Sequence, residues 1–180
     1  MPMLVRSLLV AFGRAIPDEI HGFHSSSLVR AAETGRCIAT RNRLPMVVDP
    51  LFQEILRPTI VRGPRRDAPE VLEMMRFVAE HWTHARVKHA DEEHCFDLKQ
   101  RALQALDHLV ARRERTVLVV THGTFVCMLI GCMMVGDEIS PQWFDRLHRF
   151  LVLKNTALTV CEYDQGKWQL VIWNDHAHLG

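Results

Sequence analysis

The chain has no lysine or arginine tract and no excess of either charge: its 22 Lys and Arg stand against 21 Asp and Glu, a formal net charge of +1. So close a balance gives no global field for a nucleic-acid backbone or an anionic membrane surface, and any anion site has to be local. The cysteines, Cys37, Cys95, Cys127, Cys132 and Cys161, include no CxxC pair. That removes cysteine-pair motifs; Cys127 and Cys132 lie in an apolar segment and read as small buried hydrophobes, which suits a reducing, cytoplasmic setting. No apolar run is long enough to span a bilayer. "MPMLVRSLLVAFGRAIP" is too short for that and is followed by no small-residue cleavage site, which sets aside an anchor and a signal peptide. Internal repeats and low-complexity linkers are absent too. What is present, 48% hydrophobic and 24% charged residues over 180 positions, suits a single domain, 1–180, with a real core.

The chain alternates between helix and strand patterns. "SLLVAFGRAI" reads as a core helix, "EIHGFHSS" as a strand, and "SLVRAAETGRCIATR" as a helix whose first amides the preceding serines can cap. "MVVDPLFQEILRPTIVRGPRRDAP" reads as a short strand followed by an irregular excursion rich in Pro, Gly and Arg. "PEVLEMMRFVAEHW" puts Val71, Met74, Met75, Val78 and Trp82 on one helical stripe, and "FDLKQRALQALDHLVARR" does the same with Leu98, Ala102, Ala105, Leu106 and Leu109. "TVLVVTH" lacks polar alternation, the pattern of a parallel strand covered on both faces, and Phe125 to Val135 is a further helix. "NTALTVCEY" and "KWQLVIWN" flank Gly166 as a hairpin. The expectation is a three-layer α/β/α fold, its sheet mostly parallel with an antiparallel C-terminal hairpin.

In such folds ligands collect beyond the carboxyl ends of the parallel strands, where helix N-termini direct amides into the crevice. Two segments have that form. In "HSSSLVRAAETG" a strand runs through Ser25, Ser26 and Ser27 into a helix bearing Arg30, whose planar guanidinium fits phosphate oxygens. In "VVTHGTF" His122 stands at the strand end, and Gly123 is expected to permit the tight turn that follows. His122 can act as a cation, a donor or an acid near neutral pH. Glu54, in the excursion, is a candidate to protonate a leaving oxygen if burial raises its pKa. These residues are the candidate site: Arg30, His122 and Glu54 for chemistry, and Arg30, His122 and Ser26 for phosphate binding.

At these residues the chain resembles the histidine phosphatase superfamily, with its phosphoglycerate mutase-like fold. "SSSLVRAAETG" is similar to that family's SSxxxRAxET motif, and "VLVVTHG" to its second histidine motif. "LFQEI" resembles the proton-donor segment, which maps to Glu54. "DEEHCFDLKQRALQAL" resembles the acidic stretch and arginine-bearing helix before the second histidine, with Glu93 at the glutamate. "NTALTVCEYDQGKWQLVIWNDHAHL" is similar to the closing hairpin. The resemblance runs from about residue 16 to 180. It implies a pocket in which two arginines and two histidines hold phosphate, with one histidine phosphorylated and then hydrolysed or passed on. It further implies a small phosphorylated substrate or phosphate as ligand, and neither metal nor organic cofactor. Nucleic acid and membrane are not expected partners, and the oligomeric state, a homodimer included, stays open.

One motif is missing. The superfamily opens with a strand ending in Arg-His-Gly, which carries the nucleophile, and no such triplet occurs in the chain. Leu4-Val5-Arg6-Ser7 echoes the end of that strand. The preferred alignment instead matches "SLLVAFGRAIPDEIHGFHSSS" to the family's first helix and second strand, leaving the first strand absent. Losing a central strand would bare backbone groups at about 1 to 3 kcal/mol each, against a total stability of about 5 to 15 kcal/mol. That argues for "MPMLVRS" as a replacement strand, or for a longer protein with an upstream Arg-His-Gly.

Several other residues read more plainly. His21-Gly22 imitates the missing pair but falls before its strand's end, while His24 lies nearer the pocket. His81, His84, His89 and His94 include an i, i+3 pair that suits zinc, yet they read as solvated surface. Asp91, Glu92 and Glu93 read as a solvated helix start, with Glu93 able to brace a loop. "CMLIGCMM" reads as core, and Arg65 and Arg66 as residues of the excursion over the expected pocket, with substrate contact the lesser alternative. Two function classes follow: a phosphatase or mutase that has its nucleophile in some form, and a pseudoenzyme that binds phosphate or a protein partner. Phosphate release from an aryl phosphate, lost in His122→Ala, separates them.

Overall fold

The structure is a computed structural model that describes residues 6–10 (as backbone), 20–59, 67–82 and 91–177. Strand β1 spans Arg6–Val10 and β2 Gly22–Ser25. Helix α1 (Val29–Asn42) leads to the short β3 (Val47–Val48), and a 3-10 turn follows at Pro50–Phe52. Helices α2 (Pro69–His81) and α3 (Cys95–Ala111) precede β4 (Thr116–Val120). Helix α4 (Gly123–Val135), helix α5 (Pro141–Phe150) and the hairpin β5 (Leu158–Asp164) and β6 (Lys167–Asp175) complete the order.

The six strands form one sheet in the order β3-β2-β4-β1-β5-β6. Neighbours from β3 to β1 are parallel, whereas β5 runs antiparallel to β1 and β6 antiparallel to β5. The uniformly apolar β4 is explained by its two faces. Leu118 and Val120 pack with Phe23 and Ala31 beneath α1, while Val117 and Val119 join the larger core of α3 and α4. Helix α4 is apolar all round and buried from Phe125 to Cys132, as a helix between layers must be. The expected three layers and the antiparallel hairpin are therefore present. All five residues of the α3 stripe are buried; on α2 only Val71 and Met74 are, and they pack with Ala68 in a separate small cluster.

Three local readings are corrected. Ser7–Val10, read as part of a helix, is strand: its backbone bridges β4 and β5 in the register Ser7↔Thr116 and Ser7↔Glu162. Apolar runs this short do not separate helix from buried strand by periodicity, and two open ladders on either side favour the strand. The rest of that segment, residues 11–19, lies outside the described residues. Helix α5 carries start signals that the pattern reading passed over: Pro141 in its first turn and Ser140, whose Oγ accepts from Trp143 N at 3.2 Å. The acidic stretch is not solvated as a unit, because Glu92 is buried and Glu93 is held inside an ion pair.

Candidate phosphate-binding site at the strand ends

Parallel strands β2 and β4 lie side by side and deliver Ser26 and His122 to the same edge of the sheet. Ser26 N donates to Val120 O at 2.8 Å, which fixes the turn after β2 against the end of β4. Thr121 Oγ1 donates to Phe52 O at 2.6 Å, so the strand end is tied to the 3-10 turn as well. His122 then takes extended angles (φ −132°, ψ 159°) and serves as the N-cap residue of α4, its carbonyl accepting from Val126 N at 2.9 Å. His122 Nε2 lies 2.8 Å from Ser26 Oγ, and Ser26 Oγ also accepts from Leu28 N at 3.2 Å.

His122 is 8% exposed. Its pKa is lowered from 6.5 to about 4, first by burial, then by the positive charges of Arg30 and Arg101. A neutral imidazole beside two cations is prepared to meet an anion, which removes the repulsion responsible for part of the shift. Arg30, on the first turn of α1, is exposed and borders a cavity of about 410 Å³ with Glu54, His122, Thr34 and Lys154. The structure thus brings Arg30, His122 and Glu54 together around one space, with Ser26 bonded to His122. The N-cap residue of α1 is Leu28, which makes no side-chain cap bond; Ser26 instead serves the turn before it.

Glu54 borders the cavity with its carboxylate engaged by backbone amides. Oε1 accepts from Phe125 N (3.1 Å) and Ile55 N (3.0 Å), and Oε2 from Thr124 N (3.3 Å). Its carboxylate caps the start of α4, where the helix leaves amides without intrahelical partners. Gly123 needs no special conformation. Among the described residues the glycines with positive φ are Gly136 and Gly166, and a Cβ on Gly123 would meet only Leu153 Cδ1 at 3.9 Å. A tight glycine packing contact occurs instead at Gly35 of α1, where a Cβ would lie 3.1 Å from Ser25 Oγ and 2.5 Å from Met46 Sδ.

Arg101 of α3, a residue that the motif pattern marks only as the arginine of its helix, organises the excursion around Glu54. Its Nε and Nη2 donate to the two oxygens of Glu93 at 2.8 and 2.7 Å. Nη1 donates to Leu51 O (3.1 Å) and Gln53 O (2.8 Å), and the guanidinium lies 4.5 Å from the Phe125 ring centroid. Glu93 Oε2 also accepts from Leu56 N at 2.9 Å, so Glu93 braces the loop as expected. The pair is nearly buried, at 12% and 11% side-chain exposure, and it satisfies carbonyls of a segment with no ladder of its own.

The loop from Leu153 to Ala157 forms another wall and supplies Lys154. Asn155 and Thr156, which the pattern "NTALTVCEY" assigns to the hairpin, precede β5 and line the cavity; a polar pair just before a strand is the signal for them. His24 is buried but does not border this cavity. His81 stacks on Phe77 at 4.1 Å, and His94 is buried at the start of α3 with its N donating to Asp97 Oδ2, so neither is plain surface. His84, His89, Arg65 and Arg66 lie outside the described residues. No helix among the described residues is long and apolar enough to cross a membrane.

A six-stranded sheet with serine, arginine and histidine gathered at its ligand edge defines the class. The chain belongs to the histidine phosphatase superfamily (branch 1), whose model matches residues 6–176, ten residues further toward the N-terminus than the motifs alone reached. Solved structures share the fold. Bacillus stearothermophilus YhfR is 25% identical, with a TM-score of 0.71 over 91% of this chain and 78% of that one. A putative alpha-ribazole-5'-P phosphatase from Escherichia coli is 18% identical, with a TM-score of 0.69 over 87% and 74%. A histidine-to-alanine variant of phosphoserine phosphatase from Entamoeba histolytica, in complex with phosphoserine, is 19% identical, with a TM-score of 0.61 over 88% and 75%. A search of curated proteins finds no match.

Proposed function

We propose that the cavity binds the phosphoryl group of a small phosphorylated molecule through Arg30, His122 and Ser26, and that the chain acts as a phosphoester-binding member of its superfamily without the histidine nucleophile. The observation that carries the second half is the place of β1. Arg6–Val10 occupies the sheet position between β4 and β5, and the family match begins at Arg6. We infer that this segment takes the place of the family's first strand. Where that strand runs into Arg-His-Gly, the sequence here continues Ala11-Phe12-Gly13. Neither alanine nor phenylalanine can clamp phosphate or accept a phosphoryl group.

The binding half rests on chemistry at the strand ends. Arg30 offers a forked donor, Lys154 a second cation, and His122 a neutral ring able to donate to a phosphate oxygen. Glu54 serves this reading as the cap that holds the start of α4 beside His122, rather than as a proton donor. Phosphoserine bound to the histidine-to-alanine variant from Entamoeba offers a parallel: that complex persists with a histidine replaced.

The test pairs calorimetric titration of phosphate and vanadate with turnover of a generic aryl phosphate. Binding that Arg30→Ala weakens, without turnover, supports the proposal. Turnover that disappears in His122→Ala would establish a working phosphatase instead. Replacing Ala11 by Arg together with Phe12→His should produce phosphate release and an acid-labile phosphohistidine. If that pair of changes yields neither while the protein stays folded, the assignment of β1 fails.

A further inference from the structure

On the α3 side of the sheet, away from the cavity, β2 carries a second buried histidine with different surroundings. His24 is 2% exposed, and neither Nδ1 nor Nε2 has a hydrogen-bond partner. Burying both ring nitrogens unpaired costs about 1 to 3 kcal/mol for each, so the arrangement calls for a missing partner. Asp49 and His108 stand around it, and one ligand atom from each of the three residues lies within 4.8 Å of the others. Asp49 Oδ2 is 3.8 Å from His24 Nδ1, and the rings of His24 and His108 meet edge to face with centroids 5.6 Å apart.

We propose that His24, Asp49 and His108 bind a divalent transition-metal ion, zinc being the best chemical fit, as a site separate from the phosphate cavity. Two imidazoles and one carboxylate form a ligand set that zinc favours, with a fourth position for water, whereas calcium and magnesium prefer all-oxygen shells. Zinc held at about 2.0 to 2.2 Å from each ligand places its ligands roughly 3.4 Å apart. Modest turns of the Asp49 and His108 side chains close the gap from 4.8 Å.

Four further features bear on a cation. Asp49 Oδ1 is already engaged by Leu51 N at 2.9 Å, which orients the carboxylate and leaves Oδ2 toward His24. The guanidinium of Arg112 lies nearby, its Nη1 3.4 Å from His108 Nε2, but Arg112 is paired with Glu114. Asp49 and Glu114 thus set two carboxylates beside that one guanidinium, which is the strongest single charge acting on His24. Burial keeps His24 neutral at ordinary pH, its pKa lowered from 6.5 to about 4, so no proton has to leave before a metal binds there. Phe52, fully buried and 5.5 Å from the His24 ring, supplies an apolar wall.

The position gives the ion a structural task. Asp49 N donates to Ser25 O at 2.8 Å, and Phe52 O receives the Thr121 hydroxyl. A metal bridging β2, Asp49 and α3 would therefore stiffen the backbone on which Ser26 and His122 are mounted.

Cobalt titration of the metal-stripped full chain tests the site. The expected result is one equivalent bound with the visible absorption of a low-coordinate nitrogen and oxygen site, displaced by zinc, together with a zinc-dependent rise in Tm. His108→Gln and Asp49→Asn should each weaken binding by more than about 100-fold, above what outer-shell partners contribute. His176→Gln, on a distant residue, should change nothing. If His24→Leu fails to fold, His108→Gln with an unchanged circular dichroism spectrum decides the matter. Absence of the absorption in wild type, or its survival in His108→Gln, overturns the proposal.

Discussion

Two histidines on neighbouring parallel strands, His24 within β2 and His122 two residues past the end of β4, show how surroundings divide chemically identical groups. His24 and His122 are both buried, and the pKa of each is lowered to about 4 chiefly by desolvation. His122 has a hydroxyl partner in Ser26 and cations on two sides, Arg30 and Arg101, so the space before it attracts an anion. His24 has no hydrogen-bond partner, and Asp49 Oδ2 lies 3.8 Å from its Nδ1 with the His108 ring beside it, a donor set that can hold a cation. Burial sets the protonation state in both cases and a cation is the next influence in both, Arg112 on His24 and Arg30 on His122; what separates them is the donors alongside, a hydroxyl for His122 and a carboxylate with a second imidazole for His24.

The comparison can be broken most forcefully at Arg101, one of the two cations that lower the His122 pKa. Arg101→Ala removes the ion pair with Glu93 and three backbone contacts, leaving a nearly buried carboxylate. A loss of about 3 to 5 kcal/mol is expected by urea denaturation. A loss below about 1 kcal/mol would mean the excursion is held by something else.

Acid titration gives the next largest effect. With a folded-state pKa near 4 against 6.5 unfolded, His122 contributes stability that is complete above pH 6.5 and is lost as the pH falls toward 4. The unfolded chain takes up the proton first, so the direction is acid destabilisation, on the order of 3 kcal/mol at full protonation. The groups facing His122 are Arg30 on α1, Arg101 on α3 and Glu54 across the cavity. In His122→Gln that share of the pH slope should vanish; an unchanged slope between pH 6.5 and 4 would show that His122 titrates normally.

Arg30→Ala comes third. The residue is exposed and its side chain is not part of the core, so the fold should be unaffected. Phosphate affinity should drop about 10- to 100-fold, the share of a charge-assisted contact worth about 1.5 to 3 kcal/mol. Equal affinity in mutant and wild type, measured calorimetrically, would move the anion site elsewhere.

The smallest effect sharpens the contrast from the other side. In metal-stripped protein His24→Leu should change stability by less than about 1 kcal/mol, or raise it, because an unpartnered polar group gives way to an apolar one of similar size. The corresponding His122→Leu should be the more costly, since it removes the side-chain partner of the buried Ser26 hydroxyl and leaves it only Leu28 N. Reversal of that order, read from thermal melts in the presence of chelator, would show that His24 makes a bond in the metal-free state.

Much of the fold was legible because its signals are local. The apolar stripe of α3, the both-faced burial of β4 and the Gly166 turn are read from period and composition, and all appear as expected. Ser7–Val10 was misread because a short apolar run has the same composition in a buried strand and a buried helix; only the open ladders of β4 and β5 decide between them. Helix α5 was passed over although Ser140 and Pro141 mark its start, since its hydrophobic stripe is short and Trp143 and Phe150 remain exposed.

By itself the sequence determined the class of protein: the order of "SSSLVRAAETG", "LFQEI", "DEEHC" and "VLVVTHG", each carried on an element whose periodicity specifies it. It also determined, letter by letter, that Arg-His-Gly is absent. Tertiary structure decided what no linear pattern can encode. It placed Ser26 and His122, 96 positions apart, at 2.8 Å, turned Glu54 into a helix cap, and set His24 among Asp49 and His108. Those relations depend on which side chains share a face of the sheet and which charges lie within a few ångströms, and the physical reason is that burial and Coulomb interactions act across space, not along the chain.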